Sequence, residues 1–310
     1  MSLAFLFPGQ GSQSVGMMSA YAQASTIQPA FERASQALGF DLWNLVAQGP
    51  AEELGRTVNT QPVMLVAGYA VYQAWKSVGG RTPAFMAGHS LGEYTAWVCA
   101  GALDAADAVP FVRARARIMQ DAVPEGTGGI AALLGAELKD VLEVCAEASS
   151  VGVVEPANLN APGQIVIAGH RSAVEKAMEL AKARGAKRAV MLPMSAPSHC
   201  SLMKGASEQI GALLEKLPLR SPSVSVVCNA DVVINTDPQA IKSALTRQLY
   251  SPVRWIETIE LLSRQGADTF VECAPGQVLS GLVKRIIPQA KIIALKDYAT
   301  IEQLAKEYPA

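Results

Sequence analysis

Gly88-His89-Ser90-Leu91-Gly92 is the stretch of this chain whose residue types and spacing could do chemistry. Residues 84–87 before it form a short apolar run that reads as a buried strand, and residues 93–100 after it read as a helix. A serine on such a sharp strand-to-helix turn holds its Oγ out at the edge of the sheet, as a nucleophile requires. Gly88 and Gly92 remove side chains that would clash where strand and helix cross. The backbone N–H of Leu91 opens the helix and is placed to donate to an oxyanion developing on an attacked acyl carbon. The plainer alternative is a glycine-bounded turn with an ordinary serine, and the strand and helix context favours the nucleophile.

A serine nucleophile needs a base within hydrogen-bond reach, and the chain has three histidines. His89 adjoins the serine, where neighbouring side chains diverge, and reads as structural. His170 falls in a strand-to-helix turn. His199, in Pro197-Ser198-His199-Cys200, follows a proline-bounded joint and is the candidate base; its structural alternative is a surface loop histidine. Cys200 reads as packing. No Asp or Glu between Ser90 and His199 stands out as an orienting acid. A backbone carbonyl or an amide side chain could hold the imidazole tautomer instead.

Arg115 stands apart from its neighbours. At about 100° per residue, the helix over 104–123 places it among Phe111, Val112, Ala116, Ile118 and Met119. Arg113 and Arg117 fall in the polar sector with Gln120 and Asp121. A guanidinium cannot shed its proton, so a buried one needs an anion: a carboxylate of the protein, or one on a substrate held bidentately. The loop Pro8-Gly9-Gln10-Gly11-Ser12-Gln13 directly follows the first strand. It lacks the spacing and the lysine of a nucleotide loop, and a second oxyanion donor from Gln10 fits it better.

These residues need a frame that positions them. Half of the 310 residues are hydrophobic and 17% are charged, below the usual quarter, which leaves room for a large core. The net charge of −1 gives no reason to expect nucleic acid as a partner. No apolar run approaches the ~18 residues of a membrane span. The first residues lack a basic stretch and read as a strand, not a signal peptide. Five scattered cysteines without C-x-x-C spacing read as reduced thiols in the cytoplasm. There is no metal-ligand cluster. Strand-like runs at 3–7, 84–87, 224–228, 269–273 and 291–295 alternate with helices at 62–78 (Pro62 in first position), 93–100, 104–123, 239–249, 255–264 and 277–287. That alternation predicts an α/β fold with a parallel sheet. Between glycine- and proline-rich joints, the order is strand 130–134, helix 137–148, strands 151–155 and 164–168, helix 172–184 and strand 189–192. This βαββαβ order is the split ferredoxin-like arrangement. The expected organisation is a large α/β hydrolase-like unit, 1–126 and 195–310, carrying the nucleophile elbow. A small ferredoxin-like unit, 127–194, is inserted into it, with a cleft between them.

Phe7-Pro8-Gly9-Gln10-Gly11-Ser12-Gln13, Gly88-His89-Ser90-Leu91-Gly92-Glu93, residues 120–126, Ala157-Asn158-Leu159-Asn160 and Pro197-Ser198-His199-Cys200 occur in one order. In this set the chain closely resembles the free-standing malonyl-CoA:acyl carrier protein transacylases of bacterial fatty-acid synthesis, from its first strand to nearly its last. The resemblance implies Ser90 as the acylated nucleophile, His199 as its base, and the Gln10 and Leu91 N–H groups as the oxyanion hole. It implies Arg115 as the site of the malonyl carboxylate and the Gln248 main chain as the group orienting the histidine. Asn158 and Asn160 would line the cleft. It further implies a ping-pong transfer from malonyl-CoA to the phosphopantetheine thiol of an acyl carrier protein, with no tightly bound cofactor and a monomeric state. Lys182, Arg184, Lys187, Arg188, Lys204, Lys284 and Arg285 are candidates to meet the carrier. A polyketide acyltransferase or a malonate-decarboxylase subunit would share these motifs. A serine esterase or thioesterase, and a non-catalytic carrier-binding scaffold, are the readings of other classes.

Overall fold

The computed structural model describes residues 2–194, 196–273 and 275–310. Ser195, expected as the first residue of the returning segment, lies outside them, as does Met1. The chain runs β1 (Leu3–Phe7), α1 (Ile27–Leu38), α2 (Leu42–Gln48), α3 (Ala51–Gly55), α4 (Thr57–Ser77), β2 (Phe85–Gly88), α5 (Leu91–Cys99) and α6 (Ala105–Asp121). It continues through β3 (Gly128–Leu134), α7 (Leu138–Ala148), β4 (Val154–Ala161), β5 (Gln164–His170), α8 (Arg171–Ala183) and β6 (Arg188–Met191). The last part is α9 (Lys204–Glu215), β7 (Ser225–Val227), α10 (Pro238–Gln248), α11 (Trp255–Arg264), β8 (Thr269–Glu272), α12 (Val278–Ile286), β9 (Lys291–Ala294) and α13 (Tyr298–Glu307).

Two sheets result. Five parallel strands in the order β7-β2-β1-β8-β9 form the larger. The all-apolar β1 lies at its centre, buried on both faces, as parallel strands between helical layers must be. Phe5 and Phe7 stack against Tyr72 and Trp75 of α4 with centroids 5.3–6.5 Å apart. In register, Phe7 faces Gly88, so β1 and β2 end side by side. That single pairing sets the loop after β1 beside the turn after β2. The turn is closely packed: a Cβ on Gly92 would lie 1.9 Å from the Phe7 carbonyl oxygen, and one on Gly88 1.9 Å from the backbone of Gly92.

The smaller sheet is antiparallel, in the order β4-β5-β3-β6, with α7 and α8 packed on one face. Its other face packs Ile130, Ala157, Val166 and Ala168 against Cys200 of the returning segment. β4, an edge strand, is fastened to the larger unit by Leu159 N–H to the Val253 carbonyl and Val253 N–H to the Ala157 carbonyl, both 2.9 Å. The Ser201 N–H and hydroxyl add two bonds of 2.7 Å to the Glu155 carboxylate.

Two elements differ from the sequence expectation. The helix expected to open at Pro62 opens at Thr57, leaving Pro62 inside it. The polar run Asn59-Thr60-Gln61, which resembles a loop in sequence, is buried within the first turns. The strand expected over 151–155 is β4, which starts later and extends through both Asn158 and Asn160. Its Pro156 is accommodated because β4 is an edge strand with two irregularities in its register. Helices α9 and α13 were not read from the sequence. No helix among the described residues is long and apolar enough to cross a membrane.

The packing at the turn gives a stability expectation. Gly92→Ala forces a Cβ into backbone and should cost about 4 kcal/mol or more, seen as lost soluble protein or a collapsed Tm. Gly281→Ala, inside α12 with open space around its Cβ, should raise stability by roughly 0.5–1 kcal/mol. Equal melting temperatures for the two variants would contradict this account of the turn.

Candidate active site

The turn places Ser90 at φ 52°, ψ −109°, and His199 sits at φ 64°. Both are side-chain-bearing residues in backbone regions that glycine favours, where strain is retained at functional sites. They face each other, with Ser90 Oγ 2.7 Å from His199 Nε2. Two carbonyls at the C-terminal end of α10 hold the histidine. Its backbone N–H donates to Leu249 O at 2.8 Å, and its Nδ1 lies 2.8 Å from Gln248 O. Carbonyls at a helix end have no intrahelical partners, so α10 has them free for this purpose. A carbonyl only accepts, so Nδ1 carries the proton and Nε2 is the acceptor toward Ser90. The negative end of the helix also favours an imidazolium when one forms. A helix terminus stands where a triad carboxylate otherwise would.

His199 is 2% exposed. Burial, then the Arg115 charge, push its pKa down to about 3, against the opposing Gln248 carbonyl. The imidazole is therefore neutral near pH 7 and able to accept a proton.

The Leu91 N–H, first in α5, has no acceptor within its helix. The loop after β1 lies against the same turn, since a Cβ on Gly9 would be 2.5 Å from the His89 carbonyl oxygen and 3.7 Å from Leu91 N. Gln10 follows, its side chain donating from Nε2 to Thr57 Oγ1 at 3.2 Å.

Arg115 is 1% exposed, as its position on the helix predicts. Its Nη1 donates to Gln61 Oε1 at 2.8 Å and its Nη2 to Gln248 Oε1 at 3.0 Å, and the guanidinium lies 5.1 Å from the Tyr94 ring centroid. Among the described residues no Asp or Glu forms an ion pair with it, and its Nε has no partner. The same Gln248 amide donates from Nε2 to the Ser90 carbonyl at 3.0 Å and to Glu93 Oε2 at 2.8 Å. One residue thus touches the Arg115 guanidinium, the Ser90 backbone and, through its own carbonyl, the His199 ring.

Asn229 completes the support. Its Oδ1 accepts from the Ser90 N–H at 2.7 Å, its Nδ2 donates to the Gly88 carbonyl at 2.6 Å, and its backbone N–H donates to Glu93 Oε2 at 3.0 Å. Gln61, Asn229 and the role of Glu93 are not among the sequence expectations. Gln61 was hidden by placing the helix start at Pro62. Glu93 was accessible to the reasoning applied to Arg115, because it is a charged residue in an otherwise apolar helix.

Other sequence candidates fall further out. His89, half-buried against Trp255, has its Nε2 2.8 Å from Asn160 Oδ1, and desolvation lowers its pKa. Asn160 reaches the site only through that contact. Asn158 is half-buried, bridged through its backbone to Val253, and is not brought into the hydrogen-bonded set. His170 Nδ1 accepts from the Val153 N–H within the smaller unit. Cys200 is fully buried, donates to Pro197 O at 3.0 Å, and has its thiol pushed up to about 12 by burial, which suits packing. Arg117 is exposed as expected. Arg113 is half-buried, lying over the Phe40 ring and donating to Leu38 O. Of the basic candidates, Arg184 pairs with Glu143 and Glu147, and Arg285 bonds Gln164 and the Pro162 carbonyl. Among the described residues no group of three His, Cys, Asp or Glu is arranged to hold a metal ion.

Residues 4–308 match the acyl transferase domain family. The chain belongs to that family. It is 51% identical over 295 residues to the malonyl CoA-acyl carrier protein transacylase of Escherichia coli K12, covering 95% of this chain and 96% of that protein. It is 46% identical to the protein of the same name from Bacillus subtilis, covering 97% and 95%. Among solved structures, an acyl-carrier-protein S-malonyltransferase from Burkholderia pseudomallei superimposes with TM-score 0.97 at 52% identity, over 99% of this chain and 100% of that one. A malonyl-transacylase in complex with its type II PKS acyl-carrier protein does so with TM-score 0.97 at 45% identity, over 99% and 100%.

The charge state of His199 can be tested directly. In histidine-labelled protein, with the signal assigned by its loss in His199→Asn, the His199 ring should keep its neutral NMR shift down to about pH 5, far below the ordinary imidazole midpoint. Protonation near pH 6.5 would contradict the burial and Arg115 effects.

Proposed function

We propose that this protein moves a malonyl group from coenzyme A to the phosphopantetheine thiol of an acyl carrier protein through an ester on Ser90. The observation that carries the reading is the buried Arg115 guanidinium, which has amide partners and no carboxylate and shares Gln248 with the Ser90–His199 pair. A substrate bearing both an acyl carbon and a free carboxylate fits that arrangement. An esterase or thioesterase with a neutral acyl group would leave the buried cation without an anion in direct contact, since Glu93 reaches it only across the Gln248 amide.

In the first half-reaction Ser90 Oγ attacks the thioester carbonyl while His199 Nε2 takes its proton. The N–H groups of Gln10 and Leu91 receive the oxyanion. The C–S bond breaks and the imidazolium returns the proton to the coenzyme A sulfur. In the second, His199 takes the proton of the carrier thiol, the sulfur attacks the ester carbon, and the C–O bond to Ser90 breaks with the proton going back to Oγ. Throughout, Arg115 holds the malonyl carboxylate bidentately.

Residues 1–126 and 195–310 then form a hydrolase-like catalytic unit. Residues 127–194 form a ferredoxin-like one, a reading supported by the βαββαβ order and the β4-β5-β3-β6 sheet. Asn158 and Asn160 line the cleft from that unit. The enzyme works as a cytoplasmic monomer without a bound cofactor, its macromolecular partner being the carrier and neither nucleic acid nor a membrane. Fatty-acid synthesis is the pathway that the sequence resemblance implies. The PKS carrier complex favours polyketide synthesis as the second reading, and relative transfer rates to carriers of the two kinds separate them.

Mixing the protein with malonyl-CoA should add one malonyl group in the intact mass, mapped to the peptide holding Ser90 and absent in Ser90→Ala. His199→Ala should slow its formation, and His89→Ala and His170→Ala should not. An adduct on Cys200, or no adduct at all, would overturn the proposal.

A further inference from the structure

Glu93 is fully buried beside the site, and the mechanism above gives it no step. Burial raises its pKa to about 7, opposed by hydrogen bonds from Gln248, Asn229 and Trp97 and by the Arg115 charge. Its Oε2 accepts from Gln248 Nε2 at 2.8 Å and from the Asn229 N–H at 3.0 Å, and its Oε1 lies 3.4 Å from Trp97 Nε1.

An amide side chain has a donor end and an acceptor end, and a flip exchanges them. Among the described residues, the Gln248 side chain hydrogen-bonds both the buried cation and the buried acid. Glu93 Oε2 receives two N–H donors and so presents an acceptor to Gln248, which must turn its NH2 toward it. The Gln248 oxygen is then left facing Arg115, a group with donors only. If Gln248 were flipped, its NH2 would meet the guanidinium and two donors would oppose each other. Without Glu93, the Ser90 carbonyl, 3.0 Å from Nε2, is left to hold the NH2 on that side, and the shorter, charge-assisted bond of the pair is lost. The amide also acts as a spacer. It keeps the carboxylate off the guanidinium, so Arg115 is oriented without being neutralised by direct ion pairing.

We infer that Glu93 is the positioning residue that turns the Gln248 amide oxygen toward Arg115, orienting the guanidinium through a neutral partner and leaving its charge for a substrate carboxylate. This inference rests on the malonyl-transfer reading. It goes beyond that reading in giving Glu93 a part in selecting a carboxylate-bearing acyl group over a neutral one. What matters on this account is an acceptor oxygen at the reach of a glutamyl side chain, more than the negative charge itself.

The experiment compares Ser90 acylation by malonyl-CoA and by acetyl-CoA, read by intact mass in single turnovers, for Glu93→Met, Glu93→Asp and Glu93→Gln, with thermal melts to establish folding. Glu93→Met fills the space but offers no comparable acceptor. It should lower malonyl transfer by about tenfold or more and acetyl transfer by much less. Glu93→Asp keeps the charge but withdraws it from the amide by one methylene, and should move the malonyl-to-acetyl ratio in the same direction by less. Glu93→Gln, with its oxygen at the Oε2 position, should restore most of the malonyl preference. If Glu93→Met does not fold, the Asp and Gln variants still decide the matter. Equal losses for both substrates would overturn the inference, as would an Asp variant that keeps the preference while the Gln variant loses it. Wild-type protein that fails to malonylate Ser90 would instead overturn the underlying reading, so the two failures are distinguishable.

Discussion

Burying an arginine without a carboxylate beside it is among the more costly arrangements a fold can adopt, because the guanidinium stays charged and loses its water. Arg115 is 1% exposed, and its partners are two amide oxygens and the face of an aromatic ring. Much of the surrounding structure follows from that placement. Gln61 must lie within α4, so the helix extends back past Pro62. Gln248 must end α10 beside the elbow, and Glu93 must sit below it to set its amide. On the proposed reading, a carboxylate arriving with a substrate completes a coordination that the protein leaves open.

The same charge bears on the base. Arg115 is the second cause, after burial, of the lowered basicity of His199. An anion on Arg115 offsets that effect, so on the proposed reading a malonyl substrate makes the imidazole a better base than a neutral acyl group does. The end of α10 contributes further, because its Gln248 carbonyl orients the ring and favours the imidazolium. Ser90, His199 and Arg115 are therefore joined through Gln248.

What the sequence made legible was what local geometry controls. The elbow at Ser90 rests on two glycines whose Cβ positions are occupied by backbone, and their spacing around the serine is itself the mark of that crowding. Arg115 was separable from Arg113 and Arg117 by helical angle alone, although Arg113 turned out half-buried over Phe40. Strand order, and the 139-residue separation joining Asn229 to Ser90, have no local signature. The main-chain carbonyl of Gln248 was reachable only through resemblance, since any residue has such a carbonyl. Its side chain, which binds Arg115 and Glu93, was not foreseen. Gln61 was lost to a local rule, the preference of proline for the first helical turn, which tertiary packing overrode.

The measurement that tests this account most directly is the malonyl-to-acetyl ratio of Ser90 acylation in Arg115→Ala. Removing the cation leaves the malonyl carboxylate buried and unpaired, at a cost on the order of 3–5 kcal/mol, or roughly a hundredfold to several thousandfold in malonyl transfer. Acetyl transfer should hold or rise, so the preference flattens or inverts. Arg115→Lys should recover only part of the loss, because an ammonium lacks the planar fork. A folded Arg115→Ala protein that loses both activities equally would contradict the account and make Arg115 a structural residue.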